Sequence, residues 1–128
     1  MSKNFSVEII SPSHSVLKAE TTEVIIPSYE GEMGILKDHV PLITFLRPGL
    51  VKIIGEKEKK YFVEDGTVEF FDNYLLILTS TAKEITNLES KNIEIQIKDA
   101  EEKIKADNIS DKEKYLLSYK IETLKNIN

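Results

Sequence analysis

From residue 5 to about residue 80 the chain is written in short apolar runs of period two, divided by polar or glycine-bearing breaks. Phe5, Val7 and Ile9 fall on one side of an extended segment, Ser6 and Glu8 on the other. Thr22 to Ile26 is rich in β-branched residues and ends at Pro27. Leu50 to Ile54 runs into the polar turn Gly55-Glu56-Lys57-Glu58. Lys60 to Glu64 meets Asp65-Gly66, which predicts a type I′ hairpin, because Asp and Gly tolerate the left-handed dihedrals that this turn requires. Thr67 to Phe71 alternates again, and Asp72-Asn73 marks another turn. Tyr74 to Thr79 is nearly all apolar, the pattern of a strand covered on both faces. Short strands in this rhythm predict a β-sandwich or barrel.

Between these runs lies Pro27 to Gly49, with three of the four prolines and three of the five glycines. It reads as a shaped surface loop plus short strands: Gly31 and Gly34 permit positive φ. Pro27, Pro41 and Pro48 fix φ and remove ladder donors, as at strand edges and ends.

The period changes near residue 86. Ile93, Ile97, Ala100 and Ile104 form a helical stripe, and Thr86 followed by Glu89 fits a capping box. Glu94–Lys98, Asp99–Lys103 and Glu101–Lys105 are acid-before-base pairs on the outer side. Residues 106–109 break the stripe. Ser110-Asp-Lys-Glu113 is a second capping box, and Leu117, Ile121 and Leu124 make a second stripe, flanked by Tyr115, Leu116 and Tyr119. The expectation is a β-sandwich over residues 1–85 and an antiparallel two-helix hairpin over 86–128. Helices with so thin a seam need packing against something else to persist. A fixed helical cap and a detachable element both satisfy that need.

Composition narrows the function. The chain has 128 residues and a net charge of −5, with its basic residues dispersed, which argues against nucleic acid as a partner. Arg47 is its only arginine. Without cysteine, disulfides, thiolate zinc sites and cysteine nucleophiles are excluded; His14, read as a loop residue, and His39 do not make a metal site by themselves. No apolar run approaches the ~20 residues of a membrane helix. The opening M-S-K-N-F carries no export pattern, so an intracellular protein is expected.

No catalytic signature is present: no nucleophile elbow, zincin helix, Walker loop or dinucleotide fingerprint. Glu30 and Glu32 near His39 invite an acid–base reading, but nothing apolar adjoins the pair to raise a pKa, and a solvated contact loop fits better. The same glycines lack the lysine and helix start of a phosphate cradle. The residues alone thus describe a small acidic binding protein rather than an enzyme.

Several stretches carry a resemblance over almost the whole chain. They are F-S-V-E-I-I-S-P at the start; Glu30-Gly31-Glu32-Met33-Gly34-Ile35-Leu36; His39-Val40-Pro41-Leu42; Pro48-Gly49; Phe62-Val63-Glu64-Asp65-Gly66-Thr67-Val68-Glu69-Phe70; and Leu76 to Ala82. In order and spacing these resemble the epsilon subunit of bacterial F-type ATP synthases, with Asp65 where a first glycine is usual. The resemblance implies two packed β-sheets followed by two antiparallel helices. It implies a non-catalytic subunit seated on gamma at the foot of the central stalk, against the ring of c subunits, at the cytoplasmic face of the bacterial inner membrane and without inserting into it. The alternative is a free-standing β-sandwich adaptor with a fixed helical cap.

The resemblance also assigns residues. The loop of Glu30, Gly31, Glu32, Met33 and Gly34 would lie against polar loops of the c ring, its carboxylates facing basic groups, while His39 and Pro41 hold its shape. The hairpin would either fold on the sandwich or extend toward the alpha and beta subunits, where Lys112, Lys114, Lys120 and Lys125 would meet an acidic segment. Asp111, Glu113 and Glu122 offset those lysines, so weak or absent inhibition of ATP hydrolysis is expected. Some members bind ATP through a first-helix Leu/Ile-Asp-x-x-Arg-Ala motif. Its counterpart is Leu88 to Ile93, with Glu89 for the acid, Asn92 for the arginine and Lys91 beside it. No useful ATP affinity, and no cofactor, is expected.

Overall fold

The computed structural model describes residues 3–85 and 90–127. Ten strands come first: β1 (Phe5–Ser11), β2 (His14–Thr21), β3 (Glu23–Ser28), β4 (Gly31–Leu36), β5 (Leu42–Leu46), β6 (Gly49–Ile54), β7 (Lys59–Val63), β8 (Gly66–Phe71), β9 (Tyr74–Leu78) and β10 (Lys83–Glu84). Two helices follow, α1 (Ser90–Ile104) and α2 (Asp111–Lys125).

The strands form one curled sheet in the order β10-β7-β6-β3-β5-β8-β9-β1-β2, with β4 on β3. It folds into two layers. One holds β10, β7, β6, β3 and β4; the other holds β5, β8, β9, β1 and β2. A single residue pair, Ser28 with Leu46, bridges β3 to β5 where the layers meet. All pairings are antiparallel except β1 with β9, which run parallel. The alternation seen in the sequence decides the core: Phe5, Val7 and Ile9 of β1, Val24 and Ile26 of β3, Val68 and Phe70 of β8, and Leu75 and Ile77 of β9 all point between the layers and are buried.

Several local expectations are corrected. The glycine segment is not a loop: Gly31 to Leu36 is a full strand, paired with β3 from Glu23↔Leu36 to Ser28↔Gly31, and only Tyr29 and Glu30 turn. Cross-strand pairing overrides the low β-propensity of glycine. Pro27 likewise does not end its strand, which continues to Ser28. Asp65-Gly66 does not close a hairpin, since β7 pairs with β6 and β10 while β8 pairs with β5 and β9. The type I′ geometry belongs to Asp72 (φ 52°) and Asn73 (φ 60°), which join β8 to β9. His14 is no loop residue; it opens β2, an edge strand whose mixed exposure hides its period. Tyr74 to Thr79 is not covered on both faces, for Leu78 of β9 remains 41% exposed.

The helical stripe holds: Ile93 and Ala100 are buried, Ile97 and Ile104 half-buried. Ser110 caps α2 as read, its Oγ accepting the Glu113 N–H at 3.1 Å. Asp99–Lys103 closes at 3.1 Å, whereas Glu101 lies 3.7 Å from Lys125 on the neighbouring helix. The Thr86–Glu89 capping box lies outside the described residues.

Candidate functional site

The outer faces of the two layers differ. In the first, Leu50 of β6 and Phe62 of β7 are cross-strand partners that point away from the sandwich core. The helical hairpin covers them: Phe62, Ile93 and Leu124 form a second buried cluster, packed by Leu50, Ile97 and Ile127. Each fully buried side chain of this kind contributes about 1.5–3 kcal/mol, so this cluster dominates hairpin docking. The Lys120–Glu64 ion pair between α2 and the end of β7 adds less, because exposed and half-exposed pairs contribute ~0–1 kcal/mol.

A polar and aromatic clasp completes the contact. The Arg47 guanidinium lies 3.7 Å from the centre of the Tyr119 ring, a cation–π contact. Tyr119 meets Tyr115 edge-on at 4.8 Å, and Tyr115 stacks on Tyr29 at 5.9 Å. The Tyr115 hydroxyl donates to the Tyr29 carbonyl at 3.0 Å. Burial, then the neighbouring Tyr119, pushes the Tyr115 phenol above its ordinary value, so it remains a donor at neutral pH.

Among the described residues, nothing covers the second layer in this way. Register sets Phe45, Thr67, Leu78 and Ile10 side by side across four strands, and Ile43, Glu69, Leu76 and Glu8 in the next row. Ile43 is 74% and Phe45 58% exposed. A shallow groove of about 510 Å³ runs here, walled by Ile10, Pro12, Tyr29, Phe45, Thr67 and Leu78. Exposed apolar side chains gathered in this way occur at interaction surfaces; the exposed Glu69, between Ile43 and Leu76, interrupts the second row. Its far margin is polar: the Tyr74 phenol donates to Glu8, holding that carboxyl below its usual range with help from Ser15 and Lys18.

The residues singled out in the sequence fall into separate places. Glu30 is exposed at the β3–β4 turn, Glu32 and Gly34 are exposed along β4, and Met33 packs inward on the core. Gly31 takes φ 124° with nothing near its missing Cβ. His39 and Pro41 are not beside that turn. They lie past the other end of β4, where the His39 ring meets Phe70 edge-on at 6.0 Å and its Nδ1 donates to the Val40 carbonyl at 2.8 Å. They therefore shape the β4–β5 connection rather than the turn.

On the helices, Lys112 and Lys114 are exposed, while Lys120 and Lys125 are engaged with Glu64 and Glu101. Lys91 and Asn92 are exposed on α1; Glu89 lies outside the described residues. Sequence reasoning missed the clasp and the bare face. The lone arginine and the apolar run of β5 were their only signals.

Among the described residues no cluster of three metal-ligating side chains occurs, and no helix is long and apolar enough to cross a membrane. The fold is thus a β-sandwich with one outer face capped by its own helices and exposed apolar side chains on the other. Comparison with known proteins identifies the family. The family described as ATP synthase, Delta/Epsilon chain, beta-sandwich domain matches residues 4–85. An ATP synthase epsilon chain of Pelagibacter ubique (strain HTCC1062) is 46% identical over 130 residues, covering 100% of both chains. A chain in the Euglena gracilis mitochondrial ATP synthase structure (OSCP/F1/c-ring) superposes with a TM-score of 0.77 at 18% identity, covering 98% of this chain and 79% of that one. A second, from the Tetrahymena thermophila mitochondrial ATP synthase (central stalk and c ring), has a TM-score of 0.60 at 15% identity, covering 95% and 92%. These two show the fold. The chain belongs to the ATP synthase epsilon family, the non-catalytic central-stalk subunits of F-type ATP synthase.

Proposed function

We propose that this chain locks the gamma subunit to the c ring, so that rotation driven by proton passage reaches the catalytic head without slip. Residues 1–85 would make both contacts and residues 86–128 would act as the regulatory hairpin. The observation that carries this reading is the uncovered apolar face of β5, β8, β9 and β1, opposite a face already occupied by the hairpin. Gamma seats on that face. The exposed carboxylates of Glu30 and Glu32 meet basic polar loops of the ring, and the whole assembly stands at the cytoplasmic face of the bacterial inner membrane.

The ring contact is tested with the double variant Glu32→Lys, Gly34→Val in membrane-reconstituted synthase. Glu32 is exposed, and a Cβ on Gly34 meets only the flexible Glu23 carboxylate at 3.3 Å, so the fold is expected to survive. Coupled ATP synthesis should fall about tenfold or more, the scale of reversing one close charge contact. Unchanged synthesis with the variant bound would remove the β3–β4 edge from the ring interface.

The hairpin is expected to inhibit hydrolysis weakly. In the docked state Lys120 and Lys125 are already paired, and extension exposes Ile93, Phe62 and Leu124. Deleting residues 88–128 should leave the ATP hydrolysis rate of the complex within about twofold, because the buried Phe62, Ile93 and Leu124 contacts keep the extended state scarce. A severalfold rise would show real inhibition by the hairpin.

A further inference from the structure

Three successive carbonyls at the end of β3 are held from outside their own hairpin. Pro27 accepts the Arg47 backbone N–H at 2.9 Å, Ser28 accepts Arg47 Nε at 2.8 Å, and Tyr29 accepts the Tyr115 hydroxyl at 3.0 Å. The next residue is Glu30, at the tip of the turn. Two of the three bonds come from Arg47, whose guanidinium is in turn covered by the Tyr119 ring. The third comes directly from α2, which also stacks Tyr115 on the Tyr29 ring. The turn therefore leans on the helical hairpin, through a hydrogen bond and two ring contacts.

We infer that α2 braces the β3–β4 turn, with Tyr115, Tyr119 and Arg47 as positioning residues, so that closure of the hairpin raises the affinity of Glu30 and Glu32 for their basic partner. This inference rests on the ring contact proposed above. The physical reason is preorganisation. The Ser28 hydroxyl donates to the Gly31 carbonyl at 2.7 Å and the Tyr29 N–H to the Phe45 carbonyl at 3.3 Å, but neither bond holds the Tyr29 carbonyl or ring. When α2 leaves, the Tyr29 carbonyl exchanges its phenol for water and the Tyr29 ring loses its stack. The turn then samples more conformations, and binding must order it again. By linkage, ring binding favours the closed hairpin by the same factor.

The test uses the full-length chain and the reconstituted rotor. Hydrogen exchange at the amides of residues 29–31 is followed in wild type, Tyr115→Leu and Ile95→Ala, with thermal midpoints alongside. Ile95 is exposed on α1 and takes no part in the clasp, so Ile95→Ala should match wild type. Tyr115→Leu should speed exchange at the turn about fivefold or more while β8 amides stay protected, the mark of local rather than global opening. Affinity for the c ring should fall about fivefold in the same variant, the low end of ordinary coupling. Unchanged exchange at the turn overturns the brace. Faster exchange with unchanged ring affinity, while Glu32→Lys still weakens the ring contact, overturns the linkage and leaves the contact standing. If neither Tyr115→Leu nor Glu32→Lys alters ring affinity, the ring reading fails and the linkage with it.

Discussion

Replacing Gly66 by alanine should cost this protein about 2–5 kcal/mol of folding stability, the sum of backbone strain and an unrelieved clash. Gly66 opens β8 with φ 145°, a region open to glycine and closed to other residues. A Cβ there would stand 2.5 Å from the Leu78 carbonyl and 3.0 Å from the Thr79 side chain. The first neighbour is backbone in a paired strand, so it has no room to give. The site is also a junction. Beside it the Thr79 hydroxyl donates to the Asp65 carbonyl at 2.6 Å, and the Glu64 N–H donates to Thr81 Oγ1 at 3.0 Å. These bonds tie the crossover from the first layer to the second. Against a total stability of roughly 5–15 kcal/mol for a domain of this size, the loss is a large share. Urea denaturation of Gly66→Ala beside Gly34→Ala checks it. Gly34 lies exposed on β4 with only a mobile carboxylate nearby, and its alanine variant should stay within about 0.5 kcal/mol of wild type. A shift under about 1 kcal/mol for Gly66→Ala would mean that β8 re-registers to accept the methyl group.

That same residue shows where sequence reading stops. Asp65-Gly66 has the composition of a hairpin turn, yet its glycine serves a positive φ and a close approach to the neighbouring strand of its own layer. Composition is local, and the partner that demands the glycine is Leu78, on β9. Asp72-Asn73 supplies the real type I′ turn with no glycine at all. Strands with a buried face were legible, because burial on one side forces period two: β1, β6, β7, β8 and β9 fall within a few residues of their runs. β2 and β4 were not. Each is an outer strand of its layer, and β2 has a bulge at Ile9/Ile10 of its partner that breaks the register. The Ser110 cap was legible because its partners are three residues apart.

The candidate site divides along the same line. The Glu30–Gly34 segment drew notice through its own residues, and the structure leaves its carboxylates exposed. The clasp did not, since Tyr29, Arg47, Tyr115 and Tyr119 span 90 positions and meet only after folding. An isolated arginine in a lysine-rich chain was a hint. Lysine lacks the flat, delocalised cation that covers a ring while its Nε–H holds a carbonyl, and both tasks fall on Arg47 here.

Phe45→Glu should weaken binding to gamma about a hundredfold, or roughly 2.7 kcal/mol, the size of a central apolar contact. Phe45 stands at one wall of the groove, beside Thr67 and two strands from Leu78. Its side chain already meets water over more than half its surface, so a carboxylate there costs the free chain little, and the thermal midpoint should move by a few degrees at most. In the complex the same carboxylate would be trapped against apolar surface without a partner, which is the costly event. Leu78→Glu should behave alike, since Leu78 lies in the same row, and the double variant should fall short of additive because the two share one groove. Ile95→Glu is the control: Ile95 is 57% exposed on α1, away from this face, and gamma affinity should hold. Affinities for Phe45→Glu and Leu78→Glu both within threefold of wild type would take gamma off this face. The exposed rows of β5, β8 and β9 would then need another occupant, and the adaptor alternative would gain the ground that gamma lost.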